Sequence, residues 1–154
     1  MDRGLLHVHQ GRTDVFAQSD GLTGDDAQTL FEDREGNVWV ITLNGLNRFR
    51  DFAVATISIE QGLSNANVWS VLSATDGSVW LGTRDGLNQW NNGPIRIYRK
   101  QSGLPDDGSD SLFQDDHGRI WVSTPRGIAY FENGRFTSLS GVPPGFVSSI
   151  RRGS

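Results

Sequence analysis

The sequence predicts an all-β fold built from a repeated four-stranded antiparallel unit, and three observations carry that expectation. Nineteen glycines, five tryptophans and eight phenylalanines, against one methionine in 154 residues, favour short aromatic strands and tight turns over helices. Trp39, Trp80 and Trp121 stand 41 residues apart, as do Gly36, Gly77 and Gly118, and Thr42, Thr83 and Thr124. A fixed period of roughly 20 to 50 residues marks a repeat architecture. Glycine-marked turns recur in the same register at Gly4, Gly45, Gly86 and Gly127, each followed by Leu5, Leu46, Leu87 or Ile128.

Within one period the pattern reads as four strands, which in the second repeat are Val68 to Ser73, Val79 to Thr83, Leu87 to Asn91 and Ile95 to Arg99. The first turn places Asp33 or Asp115 three residues before Gly36 or Gly118, which suits a carboxylate bonding nearby backbone and a glycine at positive φ. Asn44-Gly45 and Asp85-Gly86 are expected to form type I′ turns in two-residue hairpins. Asn92-Gly93 and Asn133-Gly134 serve the third turn, and Phe52, where the first repeat should have glycine, predicts a distorted hairpin. The second strand, as in Val38-Trp39-Val40-Ile41, is apolar on both faces, so both must be covered.

A four-stranded meander of about 40 residues covered on both sides describes the blade of a β-propeller. A sandwich or a β-solenoid does not predict four hairpin-linked strands in so regular a unit. A second landmark, Gly21-Leu22-Thr23, Gly62-Leu63-Ser64, Gly103-Leu104-Pro105 and then Gly141-Val142-Pro143, divides the chain. Residues 1–19 end a partial blade; 20–60, 61–101 and 102–139 are full blades; 140–151 begin a further blade with a strand at Phe146 to Ile150; 152–154 are a tail. About three full blades with partial blades at both ends make a propeller fragment, whose end faces are expected to meet remaining blades of the same propeller or another copy.

Net charge is −4 with acids and bases interspersed, which excludes a basic footprint for nucleic acid or a polybasic membrane patch. No run of eighteen apolar residues and no signal-peptide pattern at Met1-Asp2-Arg3-Gly4 is present. The absence of cysteine removes disulfides, thiolate catalysis and cysteine-ligated zinc.

Val79-Trp80-Leu81-Gly82-Thr83 with Asp85-Gly86-Leu87, together with the Gly-Leu-Pro start and the Asp-x-x-Gly turn, resembles the two-component regulator propeller repeats. Ile41 and Ser123 replace Gly82 in the other copies, and Ala74 replaces the turn aspartate in the second. The resemblance implies a periplasmic, ligand-sensing propeller without catalysis, in a receptor whose output is a histidine kinase or similar domain. It implies no cofactor.

Positions that recur hold the fold, and positions that vary between repeats are free to read a ligand. Trp39, Trp80 and Trp121 recur and are expected to pack between blades; Thr42, Thr83 and Thr124 are expected to bond between blades. The variable column before the first strand holds Gln28, Trp69, Asp110 and Ser148. By analogy that strand lines the channel, so these four are the candidate ligand-binding residues for a small molecule or an oligosaccharide, a tryptophan stacking on a sugar face beside amide and carboxylate groups. The plainer alternative packs Trp69 against the next blade. His7 and His9 share a strand face, and such pairs can ligate metal, but their equivalents are ordinary polar residues and no metal is assigned. His117 reads as a surface turn residue, and Asp106 to Asp110 as a solvated loop lacking the later glutamate of a calcium loop. Two other functions compete: a propeller lyase, which needs a histidine base and a divalent metal, and a protein-interaction scaffold.

Overall fold

The computed structural model describes residues 5–9, 12–50 and 53–141. Its strands are β1 (Leu5–His9), β2 (Arg12–Phe16), β3 (Ala27–Glu32), β4 (Val38–Thr42), β5 (Gly45–Arg50), β6 (Ala53–Ser58), β7 (Val68–Ser73), β8 (Val79–Thr83), β9 (Gly86–Trp90), β10 (Arg96–Tyr98), β11 (Ser111–Gln114), β12 (Ile120–Thr124), β13 (Gly127–Glu132) and β14 (Arg135–Ser138). They form a two-stranded sheet, β1-β2, and three four-stranded antiparallel meanders, β3 to β6, β7 to β10 and β11 to β14. The chain is therefore all-β and built of four-stranded blades, a partial β-propeller. Two compact units divide it, one up to Asn67 and one from Val68.

The tryptophan strand is central in each blade because only a strand covered on both faces can be apolar throughout. β8 is buried at every position, and Trp39 and Trp80 are 0% and 1% exposed. Each indole N–H has an acceptor, as a buried tryptophan needs. Trp39 Nε1 donates to Asp33 Oδ2 and Trp121 Nε1 to Asp115 Oδ2, both at 2.8 Å. Trp80, whose repeat has Ala74 in place of the aspartate, donates to Ser78 Oγ at 3.0 Å, and Ser78 in turn leans on Asp76.

The turns follow from the same side chains. Asp33 Oδ1 accepts the N–H groups of Glu35 and Asn37, Asp115 Oδ1 those of His117 and Arg119, and Gly36 and Gly118 both take φ 80°. His117 is exposed on its turn. The next hairpins have two residues, as expected, but the residues are Leu43-Asn44, Arg84-Asp85 and Pro125-Arg126, because Gly45, Gly86 and Gly127 already pair with Thr42, Thr83 and Thr124. None of these six turn residues has positive φ, so the expected type I′ turns at Asn44-Gly45 and Asp85-Gly86 are not formed. Thr42, Thr83 and Thr124 each donate a hydroxyl proton to the glycine carbonyl three residues on, and the Thr83 carbonyl also accepts the Ser109 N–H of the next blade. Glycine is required after the turn because a Cβ at Gly45 would lie 2.6 Å from the Ile57 carbonyl. Type I′ geometry does occur at Asn133-Gly134, with φ 51° and 79°, where Glu132 pairs with Arg135. The hairpin of Phe52 lies outside the described residues, as does the strand expected at Phe146 to Ile150.

The Gly-Leu landmarks close single 3₁₀ turns, Gln18–Asp20, Ile59–Gln61 and Lys100–Ser102. Gly21, Gly62 and Gly103 cap them in the left-handed region, and Leu22, Leu63 and Leu104 then enter the core at 3 to 4% exposure.

In the second unit two blades share one core. Trp80, Leu87 and Leu104 meet Ile120, Val122 and Ala129. Trp80 lies against Phe131 with ring centres 5.1 Å apart, and Tyr98, Phe131 and Phe136 complete an aromatic cluster across the blades. In the first unit β2 meets the first blade through Phe16 and Phe49, 5.0 Å apart edge-on. Buried Asn47 ties the preceding loop to that blade, accepting from Thr23 N–H and Oγ1 and donating to the Gly21 carbonyl.

Candidate functional site

Two members of the variable column named from the sequence, Gln28 and Trp69, fall on the same backbone irregularity. In the first blade the β3–β4 register shifts between Ala27 and Thr29, so Gln28 is the extra residue; in the second it shifts between Val68 and Ser70, so Trp69 is the extra residue. A β-bulge re-aims the side chain it inserts, which is why bulges recur beside binding sites. Trp69 is accordingly 49% exposed although its strand neighbour Val68 is buried. Gln28 is exposed in the first unit, and Ser148 lies outside the described residues.

Trp69 and Asp110 stand at the starts of β7 and β11, the first strands of successive blades, and these strands lie side by side in the second unit. Asp110 holds its N–H on the Ser123 carbonyl at 2.9 Å, while its Oδ2 is buried without a hydrogen-bond partner. Burial, and after it the negative charge of Asp106, hold the Asp110 carboxyl above the usual carboxylate range. Asp106 itself pairs with Arg126 at 3.1 Å.

Gly82 lets the two blades close at this point. A Cβ there would collide with Ser70 Oγ and with the backbone carbonyl of Ser109, and the Ser109 N–H donates to the Thr83 carbonyl at 2.9 Å. Ser70 Oγ and Ser109 Oγ are also buried without partners. Sequence reasoning missed these two serines because a small polar residue in a strand has no pattern; only the glycine opposite them hinted at a close approach. Trp69 is thus a half-exposed indole at the start of β7, and Asp110, at the start of the adjacent β11, has a buried carboxylate oxygen without a partner. Among the described residues no group of three or more His, Asp or Glu side chains is arranged to hold a metal ion.

A family model described as two-component regulator propeller matches residues 21–44, 62–85 and 103–126. No curated protein matches the sequence. Among solved structures, the extracellular domain of the hybrid two-component system BT3049 from B. thetaiotaomicron superposes with a TM-score of 0.69 at 21% identity, over 88% of this chain and 20% of that one. The extracellular domain of BT4673 from the same organism gives 0.64 at 19%, over 97% and 22%. Virginiamycin B lyase from Staphylococcus aureus gives 0.64 at 12%, over 93% and 50%. At these identities the likeness is one of fold, and the chain spans about a fifth of the two extracellular domains it resembles. No helix among the described residues is long and apolar enough to cross a membrane.

Proposed function

We propose, from the premise that this chain belongs to the two-component regulator propeller family, that it is a non-catalytic, ligand-sensing segment of the periplasmic part of a two-component receptor. The parent is a sensor histidine kinase, and further blades complete the propeller. The observation that carries the binding role is Trp69, half-exposed on a bulge, with the unpartnered Asp110 carboxylate oxygen at the same end of the adjacent strand.

The ligand is a small polyhydroxylated molecule or oligosaccharide. Its apolar face stacks on Trp69, and Asp110 bonds its hydroxyls. Binding moves a signalling equilibrium only if the two states hold the ligand differently, so this segment supplies recognition and the rest of the receptor supplies the switch.

Calorimetry against a panel of oligosaccharides tests the reading, with Trp69→Ala as control. One or more saturable binders, lost in the variant, support it. Binding that Trp69→Ala leaves unchanged removes the site, and no binder across the panel removes the glycan.

A further inference from the structure

A cleft of about 370 Å³ opens in the first unit between the 3₁₀ turn Gln18–Asp20, the Leu43-Asn44 turn and the 3₁₀ turn Ile59–Gln61, and its walls include Gln18, Asn44, Ser58, Ile59, Glu60 and Ala66. That volume is within the range of small-ligand sites, roughly 300 to 1,000 Å³. All its walls belong to the first unit, whereas Trp69 and Asp110 belong to the second.

The internal repeat shows what fills the corresponding place. Forty-one residues on, Asn44, Ser58 and Ala66 become Asp85, Arg99 and Asp107. There Arg99 Nε donates to the Asp85 main-chain carbonyl at 2.8 Å, and Asp107 Oδ1 accepts the Lys100 N–H at 2.8 Å. The second blade therefore covers this position with its own guanidinium. In the first blade Ser58 carries no cation and turns its hydroxyl to Gln61 Oε1, and Ala66 offers no carboxylate. Glu60 stands on the wall, no lysine or arginine among the described residues lines the cleft, and Ile59 beside it is 52% exposed. A carboxylate next to an apolar wall suits a guanidinium, which is weakly hydrated, presents a planar fork of donors and carries an alkyl stem that packs on apolar surface.

We propose that this cleft binds a guanidinium group from outside the chain, which takes the place Arg99 holds in the next blade, donating to the Asn44 main-chain carbonyl and pairing with Glu60. Calorimetric titration with N-acetyl-arginine methylamide tests it, the uncharged isostere N-acetyl-citrulline methylamide serving as control. The arginine probe is expected to bind saturably, to weaken with salt, and to bind at least about tenfold tighter than the citrulline probe.

Ser58→Arg installs the residue the next repeat carries and should abolish binding while the melting temperature holds or rises. Glu60→Gln should weaken it about tenfold, and this exposed substitution carries the test where Ser58→Arg does not fold. A capped Gly-Arg-Gly peptide and agmatine separate the two sources of the group. Tighter binding of the peptide assigns it to an arginine on a polypeptide, tighter binding of agmatine to a free small cation, and either sustains the site. Equal affinity for the arginine and citrulline probes, binding that survives Ser58→Arg in a folded protein, or no saturable heat with any probe overturns the proposal.

Discussion

Asp33 and Asp115 each use one carboxylate both to close a turn and to hold a tryptophan. Burial alone would raise their pKa values. For Asp33 the bonds from the Trp39 indole and from Asn37 outweigh it, and for Asp115 those from the Trp121 indole and from Arg119 do, so both carboxyls lie below the ordinary value. Arg119 completes the second anchor, 2.7 Å from Asp115 and stacked over Trp121 and Tyr130. A carboxyl with a depressed folded pKa adds stability that is fully present above its unfolded value, 3.8 here, and is lost as pH falls through the folded pKa. Urea midpoints should therefore be flat near neutrality and fall below about pH 4, and in Asp33→Asn/Asp115→Asn the fall should be shallower. Asp115→Ala leaves an indole N–H and two backbone N–H groups without their acceptor and should cost about 1–3 kcal/mol at pH 7. At Gly82 even a methyl group meets backbone, so Gly82→Ala should cost about 1–3 kcal/mol in the same measurement. The tryptophans divide by burial. Trp80→Ala should cost about 3–5 kcal/mol, whereas Trp69→Ala should stay within about 0.5 kcal/mol and act on binding alone.

At the scale of the element, the strands were legible because their signals are local. In the second repeat two predicted strands coincide with the observed ones and two differ by one residue at each end, as with Leu87 to Asn91 against Gly86–Trp90. The turn type was not legible. Asn-Gly and Asp-Gly favour a type I′ turn wherever the hairpin is free to choose its register, but here the threonine hydroxyl and the close approach of β6 to Gly45 move the pairing by one residue. A substitution separates the two turns. Asn133→Ala forces a left-handed φ on alanine and should cost about 1 kcal/mol, while Asn44→Ala, at negative φ, should cost less than about 0.5 kcal/mol by thermal or urea unfolding. The 3₁₀ turns before Gly21, Gly62 and Gly103 escaped the sequence because three residues are too few to show a period. The bulges at Gln28 and Trp69 escaped it too. The column was found through its variability between repeats, and why Gln28 and Trp69 are exposed was visible only in the ladder register.

For the molecule as a whole, each blade leaves an apolar face that a neighbour must cover, so stability is shared between adjacent repeats. In the second unit that sharing runs through Trp80, Tyr98, Phe131 and Phe136. A Tyr98/Phe131 double-mutant cycle should show a coupling of about 0.5–1.5 kcal/mol, and Phe131→Ala should lower amide-exchange protection in β8 as well as in β12. Phe131→Ala that loosened only its own blade would show that the blades fold independently. What the sequence alone determined was the repeat, its period, the four strands of each unit and the all-β class, since glycine, tryptophan and alternation act over a few residues and recur. Only the tertiary structure decided which glycine makes room for a neighbouring blade, and that Trp69 is half-exposed while Trp80 is buried. Those outcomes depend on atoms brought together from different blades or across a ladder, at distances that no local pattern encodes.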